Sequence, residues 1–421
     1  MSVPVSVRRV RDAAGAGATA KLPAVPDSTG APGSVELLGE ACSATGGMLL
    51  ATALSETAAV AIEPIEGDEL VITAAGAPAY DEVRMPMPDT VPAGYPKEAT
   101  AIAAAIAAMT HVVHLVPRTS GLKVTWASDI PANRGLGELP ALQAAVALAA
   151  HARWGDRDDV PTRARMATAL HDLTAEHVGG HWPLHPYTAA LRSNPDSVLT
   201  CNHSDEAVTQ HPRPENLALM VAFSPDITGC SPQVERHKFF AEACSAFGVP
   251  TLNGLPDAES RVLEWVRARH EVHPDGDAPT ITRASQWLDD ASGCSDRARA
   301  VSAHLRHGDV AAAMNSVLLD VKVRDTAPSD DSSMGQLLAS TEGHTVAARC
   351  CPAPGAAAVL WAFTEHADDV EAAIRSAGGT VLRIADTDAG REIDLAAGAP
   401  ADADGSGTPE GAGAAAKVAQ A

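Results

Sequence analysis

Aromatic side chains make up only 3% of this 421-residue sequence, which leaves few flat surfaces on which nucleic-acid bases stack. Basic residues are also short. Lys and Arg number 31 against 53 Asp and Glu, a net charge of −22, so the long-range field repels nucleic acid and anionic lipid. The sequence has no run of about twenty uncharged apolar residues to span a bilayer. The leading stretch MSVPVSVRRVRDAAGAGATAKLPAVPDSTG carries arginines but no apolar h-region of a signal peptide. Seven cysteines (Cys42, Cys201, Cys230, Cys244, Cys294, Cys350 and Cys351) are an odd number and form no C-x-x-C pair that would grip zinc. They read as buried thiols of a reducing compartment. The expectation is a soluble, cytoplasmic protein with no nucleic-acid or membrane partner.

A chain of this length suggests two domains, each large enough to bury its own core. Residues 1–29 and 396–421 are rich in Ala, Gly and Pro or small and acidic, and both are expected to be disordered. Between them, SVELLGE, ELVITAA and KVTWASDIP read as strands, and KEATAIAAAIAAMTHVVHLV as a long apolar helix. KVTWASDIP ends in the turn ANRGLG, and ELPALQAAVALAAHARWG then has the spacing of a buried helix with Pro140 near its first turn. Strand, Gly turn, helix is a geometry that presents backbone N–H groups to a phosphate. The junction TQHPRPEN places a boundary near residue 210, giving one domain over 30–209 and another over 210–395. The second begins with the strand LALMVAFSP and the helix QVERHKFFAEACSAFGV. Later come helices around SDRARAVSAHLRHG and from Asp309, the strand AAAVLWAF, the helix HADDVEAAIRSAG and the strand TVLRIAD, an α+β alternation.

Three segments, in order and separation, resemble the signature motifs of the GHMP small-molecule kinases, and among them the galactokinases, over roughly residues 30–395. Ala31 to Gly47 (APGSVELLGEACSATGG) lies without a gap on the family's A-P-G-R-V-N-L-I-G-E-H-T-D-Y-N-G-G. It keeps Ala31, Pro32, Gly33, Val35, Leu37, Gly39, Glu40, Gly46 and Gly47, but has Ser34 at the phosphoryl-stabilising Arg, Glu36 at the Asn, Ala41 at the His and Ser43 at the sugar-holding Asp. The resemblance places Glu40, Ser43, Gly46 and Gly47 at substrate positions; Glu40 serves equally well as a turn cap. Asp129 to Leu142 is similar to D-I-P-x-G-x-G-L-S-S-S-A-A-L and puts Asn133, Gly135, Leu136, Gly137, Glu138 and Leu139 at the phosphate loop, the last three in place of the serines. The third motif, A-R-M-T-G-A-G-F-G-G-C, corresponds to AARCCPAPGAA around Arg349, where Pro352 and Pro354 replace flexible glycines. The family's catalytic Asp aligns with His185 or Pro186 in WPLHPYTAAL. No catalytic residue is therefore carried over.

The resemblance implies an α+β, two-domain GHMP kinase fold: a mixed-sheet first domain and a ferredoxin-like α+β second domain. It also implies that Glu138, at the positive end of a helix, occupies the anion site itself. His177, His181 and His185 recur every four residues, yet Gly179, Gly180 and Pro183 interrupt any helix there, so no metal site is expected. Three function classes stay open: an active ATP-dependent sugar 1-kinase using MgATP; a non-catalytic relative, without cofactor, that binds a small molecule such as a sugar or a protein partner; and an enzyme with new chemistry in the old cleft.

Overall fold

The first-motif segment and the strand that follows it form the centre of a seven-stranded sheet. In the computed structural model, residues 29–384 are described except 40–41, 43–44, 76–81, 91–92, 119, 179–183, 194–195, 206, 225–233, 274–275, 325–332, 345–346 and 351–356. The termini expected to be disordered lie outside the described residues, apart from Thr29. All described residues belong to one contact unit, Val3–Thr387.

β1 (Thr29–Leu38) runs antiparallel to β2 (Met48–Ile65), an 18-residue strand that also pairs with β5 (Gly121–Ser128) and β6 (Ser197–Asn202). β3 (Glu69–Ala74) pairs in parallel with β5 and antiparallel with β4 (Val83–Pro86), while β7 (Ala207–Pro212) closes the far edge on β6. One parallel pair among antiparallel ones makes the sheet mixed. Four helices cover it: α1 (Lys97–His111), α2 (Glu138–Trp154), α3 (Val160–Val178) and α4 (His185–Arg192). The buried positions of α1 and α2 are mostly Ala with Ile, Leu and Val, and Ala lets their backbones lie close to each other and to the sheet.

The second sheet has the order β11 (Thr380–Ile384), β8 (Leu217–Phe223), β10 (Ala357–Phe363), β9 (Ala347–Cys350), antiparallel throughout. Helices α5 (Val234–Phe247), α6 (Ala258–Val272), α7 (Ile281–Arg306), α8 (Val310–Arg324) and α9 (Ser333–Ala339) lie between β8 and β9, and α10 (Ala367–Ser376) between β10 and β11. That is the split β-α-β arrangement expected of a ferredoxin-like unit. The main core runs across both sheets: Leu37, Leu54, Val60 and Trp126 share it with Leu219, Val221, Val359 and Trp361. Residues 213–216 connect the sheets, and the boundary expected near residue 210 falls within β7.

Five strands escaped the sequence reading: β2, β4, β6, β7 and β9. β2 (MLLATALSETAAVAIEPI) is Ala-rich and lacks polar alternation because it is largely buried between neighbours on both edges. The helix expected near Pro140 begins at Glu138, capped by Gly137.

Two glycines set the distance between β1 and the start of α2. The Ser34 N–H donates to the Leu136 carbonyl at 2.9 Å, and a Cβ on Gly33 would sit 2.9 Å from that same oxygen. Gly137 is left-handed, φ +67°, and a Cβ there would lie 2.7 Å from Ser34 Oγ. The left-handed conformation and the overpacking each cost a side chain about 1–3 kcal/mol. Gly137→Ala is therefore expected to lower the unfolding free energy by at least about 1 kcal/mol in urea denaturation, whatever the protein binds.

Candidate active-site cleft

The turn ANRGLG and the N-terminus of α2 form the floor of the candidate site. Asn133 (φ 57°), Gly135 (φ 71°) and Gly137 turn the chain sharply before the helix. An α-helix begins with N–H groups that have no intrahelical acceptor. Here the Ala141 N–H already bonds the Gly137 carbonyl at 2.9 Å and Pro140 has no N–H, so Glu138 and Leu139 supply the remaining helical donors.

The Glu138 carboxylate folds back over the turn. Its Oε2 accepts from the Asn133 N–H at 3.3 Å and lies 3.4 Å from Lys97 Nζ, the first residue of α1. Lys97 also donates to Asn133 Oδ1 at 2.9 Å and sits 3.5 Å from Glu98 Oε1. One ammonium thus serves two carboxylates and an amide. Glu138 and Glu98 are largely buried, 16% and 9% exposed in their side chains, whereas Lys97 is 44% exposed. Its ion pairs are weakened by solvent on the lysine side. Arg134, the other cation of the turn, points away: it donates to the Ser224 carbonyl at 3.1 Å and stacks over Phe223, at the end of β8.

Ser34 is buried beneath this turn. Two residues on, Glu36 faces α4, and its Oε2 lies 4.0 Å from His185 Nε2, with both side chains at or below 10% exposure. Glu36, aligned with the family's Asn, and His185, one of the two residues aligned with its Asp, thus lie near each other in space. Pro186 stands in the first turn of α4 and is buried.

A second carboxylate pair lies where β2 passes the Asp129 end of β5. Burial above all, opposed by a hydrogen bond from its own backbone and aided by the negative charge of Asp129, pushes the Glu56 carboxyl up to about 7. Glu56 Oε2 is buried and meets no hydrogen-bond partner among the described residues. The Asp129 N–H is fixed by the Thr57 carbonyl at 3.0 Å.

Of the expected substrate positions, Glu40 and Ser43 lie outside the described residues, while Gly46 and Gly47 are tightly packed. A Cβ on Gly46 would lie 2.6 Å from Thr251 Oγ1, and one on Gly47 would lie 2.9 Å from both Cys42 and Ser295. Asn253 bridges to this loop, its N–H to the Thr45 carbonyl at 3.0 Å and its side-chain amide to the Gly46 carbonyl at 2.7 Å. These glycines permit close packing of the loop on α7 and the turn Leu252–Gly254. Of the histidine series, His177 is in α3 and His185 opens α4, while His181 lies outside the described residues, as do Pro352 and Pro354. Four described cysteines, Cys42, Cys201, Cys244 and Cys294, are buried thiols outside any disulfide, and burial pushes the Cys201 thiol up to about 12, which keeps it inert.

Lys97, Arg134 and Glu56 were not singled out in the sequence. For Lys97 the signal was available: a lysine behind Pro96, opening an apolar helix in a lysine-poor chain.

No protein-family model matches the sequence. Galactokinases of Mycobacterium tuberculosis (strain H37Rv) and Mycobacterium bovis (BCG Pasteur) are 34% identical to it over 199 residues, 47% of this chain and 50% of theirs. The chain thus spans about half the length of the curated relatives it matches. Among solved structures, Lactococcus lactis galactokinase complexed with galactose superimposes with a TM-score of 0.66 at 12% identity, over 85% of this chain and 92% of that one. A D-glycero-D-manno-heptose 1-phosphate kinase superimposes with a TM-score of 0.55 at 13% identity, over 84% and 94%. A mevalonate kinase gives 0.54 at 10%, over 85% and 98%. At such identities the structural likeness carries the fold alone. No described helix is long and apolar enough to cross a membrane.

Two outcomes follow from the geometry. Glu138→Ala removes the acceptor of the Asn133 N–H and the partner of Lys97, and is expected to cost about 0.5–2 kcal/mol, as a lost N-cap does. Glu138→Ser should cost less and should let sulfate raise the melting temperature, where the parent protein is indifferent to sulfate. The second concerns pH. A carboxyl whose pKa is raised in the folded state, from 4.5 to about 7 at Glu56, favours folding fully below the unfolded value. That contribution is lost as pH rises through about 7. Glu56→Gln should flatten the fall in stability across this window and, at pH 8, exceed the parent by up to roughly 3 kcal/mol in denaturant titrations.

Proposed function

We propose that this chain, which has the GHMP kinase fold and is 34% identical to galactokinases over about half its length, binds a small molecule of the sugar class in the cleft without transferring phosphate. The observation that carries the reading is the Glu138 carboxylate on the turn that a nucleotide phosphate would need. The residues present do not fit a nucleoside triphosphate with its magnesium. Pro140 removes one helix N–H, Glu138 takes the Asn133 N–H, Lys97 is shared among Glu138, Glu98 and Asn133, and Arg134 is committed to the end of β8. A polyanion brought to this floor meets a carboxylate at hydrogen-bond range, an opposition of like charges that a partly exposed lysine offsets only in part.

A neutral, hydroxyl-rich ligand carries no such penalty. Carboxylates at Glu36 and Asp129 accept hydrogen bonds from hydroxyls, and the solved Lactococcus lactis relative holds galactose in this fold. The domain division near residue 210 and the cytoplasmic location are part of the same proposal. The comparisons lend no support to a protein partner.

The second reading is an active sugar 1-kinase using MgATP, and the 34% identity to mycobacterial galactokinases favours it. Calorimetric titration separates the two. The purified protein is expected to show no saturable MgATP binding at millimolar nucleotide while galactose or a related monosaccharide binds without nucleotide. Saturable MgATP binding in the micromolar range, with ATP-dependent phosphorylation of galactose, would overturn the non-catalytic reading.

A further inference from the structure

Away from the cleft, three side chains from separate stretches of chain converge beside the second sheet. His344 ends the turn after α9, His366 closes the short 3-10 turn Thr364–His366, and Asp369 lies in the first turn of α10. One ligand-capable atom from each lies within 4.8 Å of those of the others. The imidazole rings are 6.3 Å apart between centroids and tilted by 57°, neither stacked nor edge-on. Among the described residues this is the one grouping of three or more such side chains.

From this convergence we propose a zinc-binding site formed by His344, His366 and Asp369. Two neutral imidazoles and a carboxylate form a donor set suited to Zn²⁺, and three protein ligands leave a fourth position for water or another carboxylate. Glu365 is such a carboxylate near one of the ligands, its Oε1 3.6 Å from His366 Nε2. The neighbouring carboxylates are sorted by Arg383: its guanidinium holds Asp368 at 2.6 Å and Glu371 at 2.9 Å, whereas Asp369 forms no ion pair with a described residue. The arginine therefore withholds two acids and leaves one for the metal. A net charge of −22 adds long-range attraction for a dication. His344 is exposed and His366 half-buried, so both rings have room to close on an ion by rotamer adjustment.

The consequence is structural. Residues 344 and 366 flank β9 and β10 in the chain, so a shared ion binds the turn after α9 to the start of α10. No sequence spacing reveals such a site, because its ligands are far apart in the chain and adjacent only through the fold.

The full-length protein, freed of metal with EDTA, is titrated with ZnCl₂ by calorimetry, and a parallel sample is followed by visible absorption on addition of CoCl₂. The expected result is one saturable Zn²⁺ site, a rise in melting temperature on Zn²⁺ addition, and a Co²⁺ spectrum of low-coordinate type. Single substitutions H344A and H366A should each weaken Zn²⁺ by more than about tenfold, the lower end of what loss of even a ligand-supporting group costs. Because these side chains are at or near the surface, the variants should melt like the metal-free parent. A control substitution at an exposed histidine elsewhere, H273A, should leave the affinity unchanged. The proposal fails if the parent shows no saturable Zn²⁺ binding, or if the H344A/H366A double variant binds it as tightly as the parent. Neither result touches the reading of the cleft, which rests on other residues.

Discussion

The close approach of β1 to the turn before α2 is the constraint on which the cleft depends. One backbone hydrogen bond, Ser34 N–H to the Leu136 carbonyl, holds the two segments together, and Gly33 and Gly137 leave the space it requires. Because β1 is paired along its length to the central strand β2, this contact ties the N-terminus of α2 to the rigid middle of the sheet. Everything on the cleft floor inherits its position from it: the left-handed Asn133, the reach of Glu138 back over the turn, and the angle at which Lys97 arrives from α1. The glycines of the two motifs thus have a packing reason to be present that is independent of any phosphate.

That separation of shape from chemistry bears on how far sequence likeness carries. The positions this chain shares with the galactokinase motifs are mostly those that a backbone approach or a buried strand demands, such as Gly33, Val35, Leu37, Gly135 and Leu142. The positions at which it differs, Ser34, Glu36, Glu138 and His185 among them, are those that the resemblance assigns to ligand contact. A fold comparison reads the first set, whereas binding chemistry depends on the second.

Much of the architecture was legible for the same reason. Alternation and branched residues marked β1, β3, β5, β8, β10 and β11, and Ala-rich periodicity marked α1 and α2. β2 was not legible, since its strand character comes from partners on both edges and not from its own pattern. β6 and β7 hid behind a proline-bearing junction that reads as a linker. Within the site, Glu138 was legible because it stands in a motif, and its capping of the turn follows from helix electrostatics. The Glu36–His185 contact was not, since one residue is on β1 and the other on α4 and only the fold brings them together. Glu56 had no signal at all: its perturbation comes from burial beside Asp129, a property of packing alone.

The acidic groups of the cleft also constrain one another. Glu98 and Glu138 share a single lysine, Glu36 lies against an imidazole, and Glu56 is driven towards its neutral form beside Asp129. Each device lowers the cost of a buried or crowded carboxylate by a different route: a shared cation, a polarised neighbour, a retained proton. A ligand with its own negative charge would disturb all three, because it competes for the lysine and raises the cost of every ionised acid nearby. Under the proposed reading, a ligand that offers hydroxyl donors adds no charge to these groups, since ionised carboxylates act only as acceptors. Under the proposed non-catalytic reading, the electrostatics of this floor disfavour phosphate for the same reason that they favour a neutral polyol.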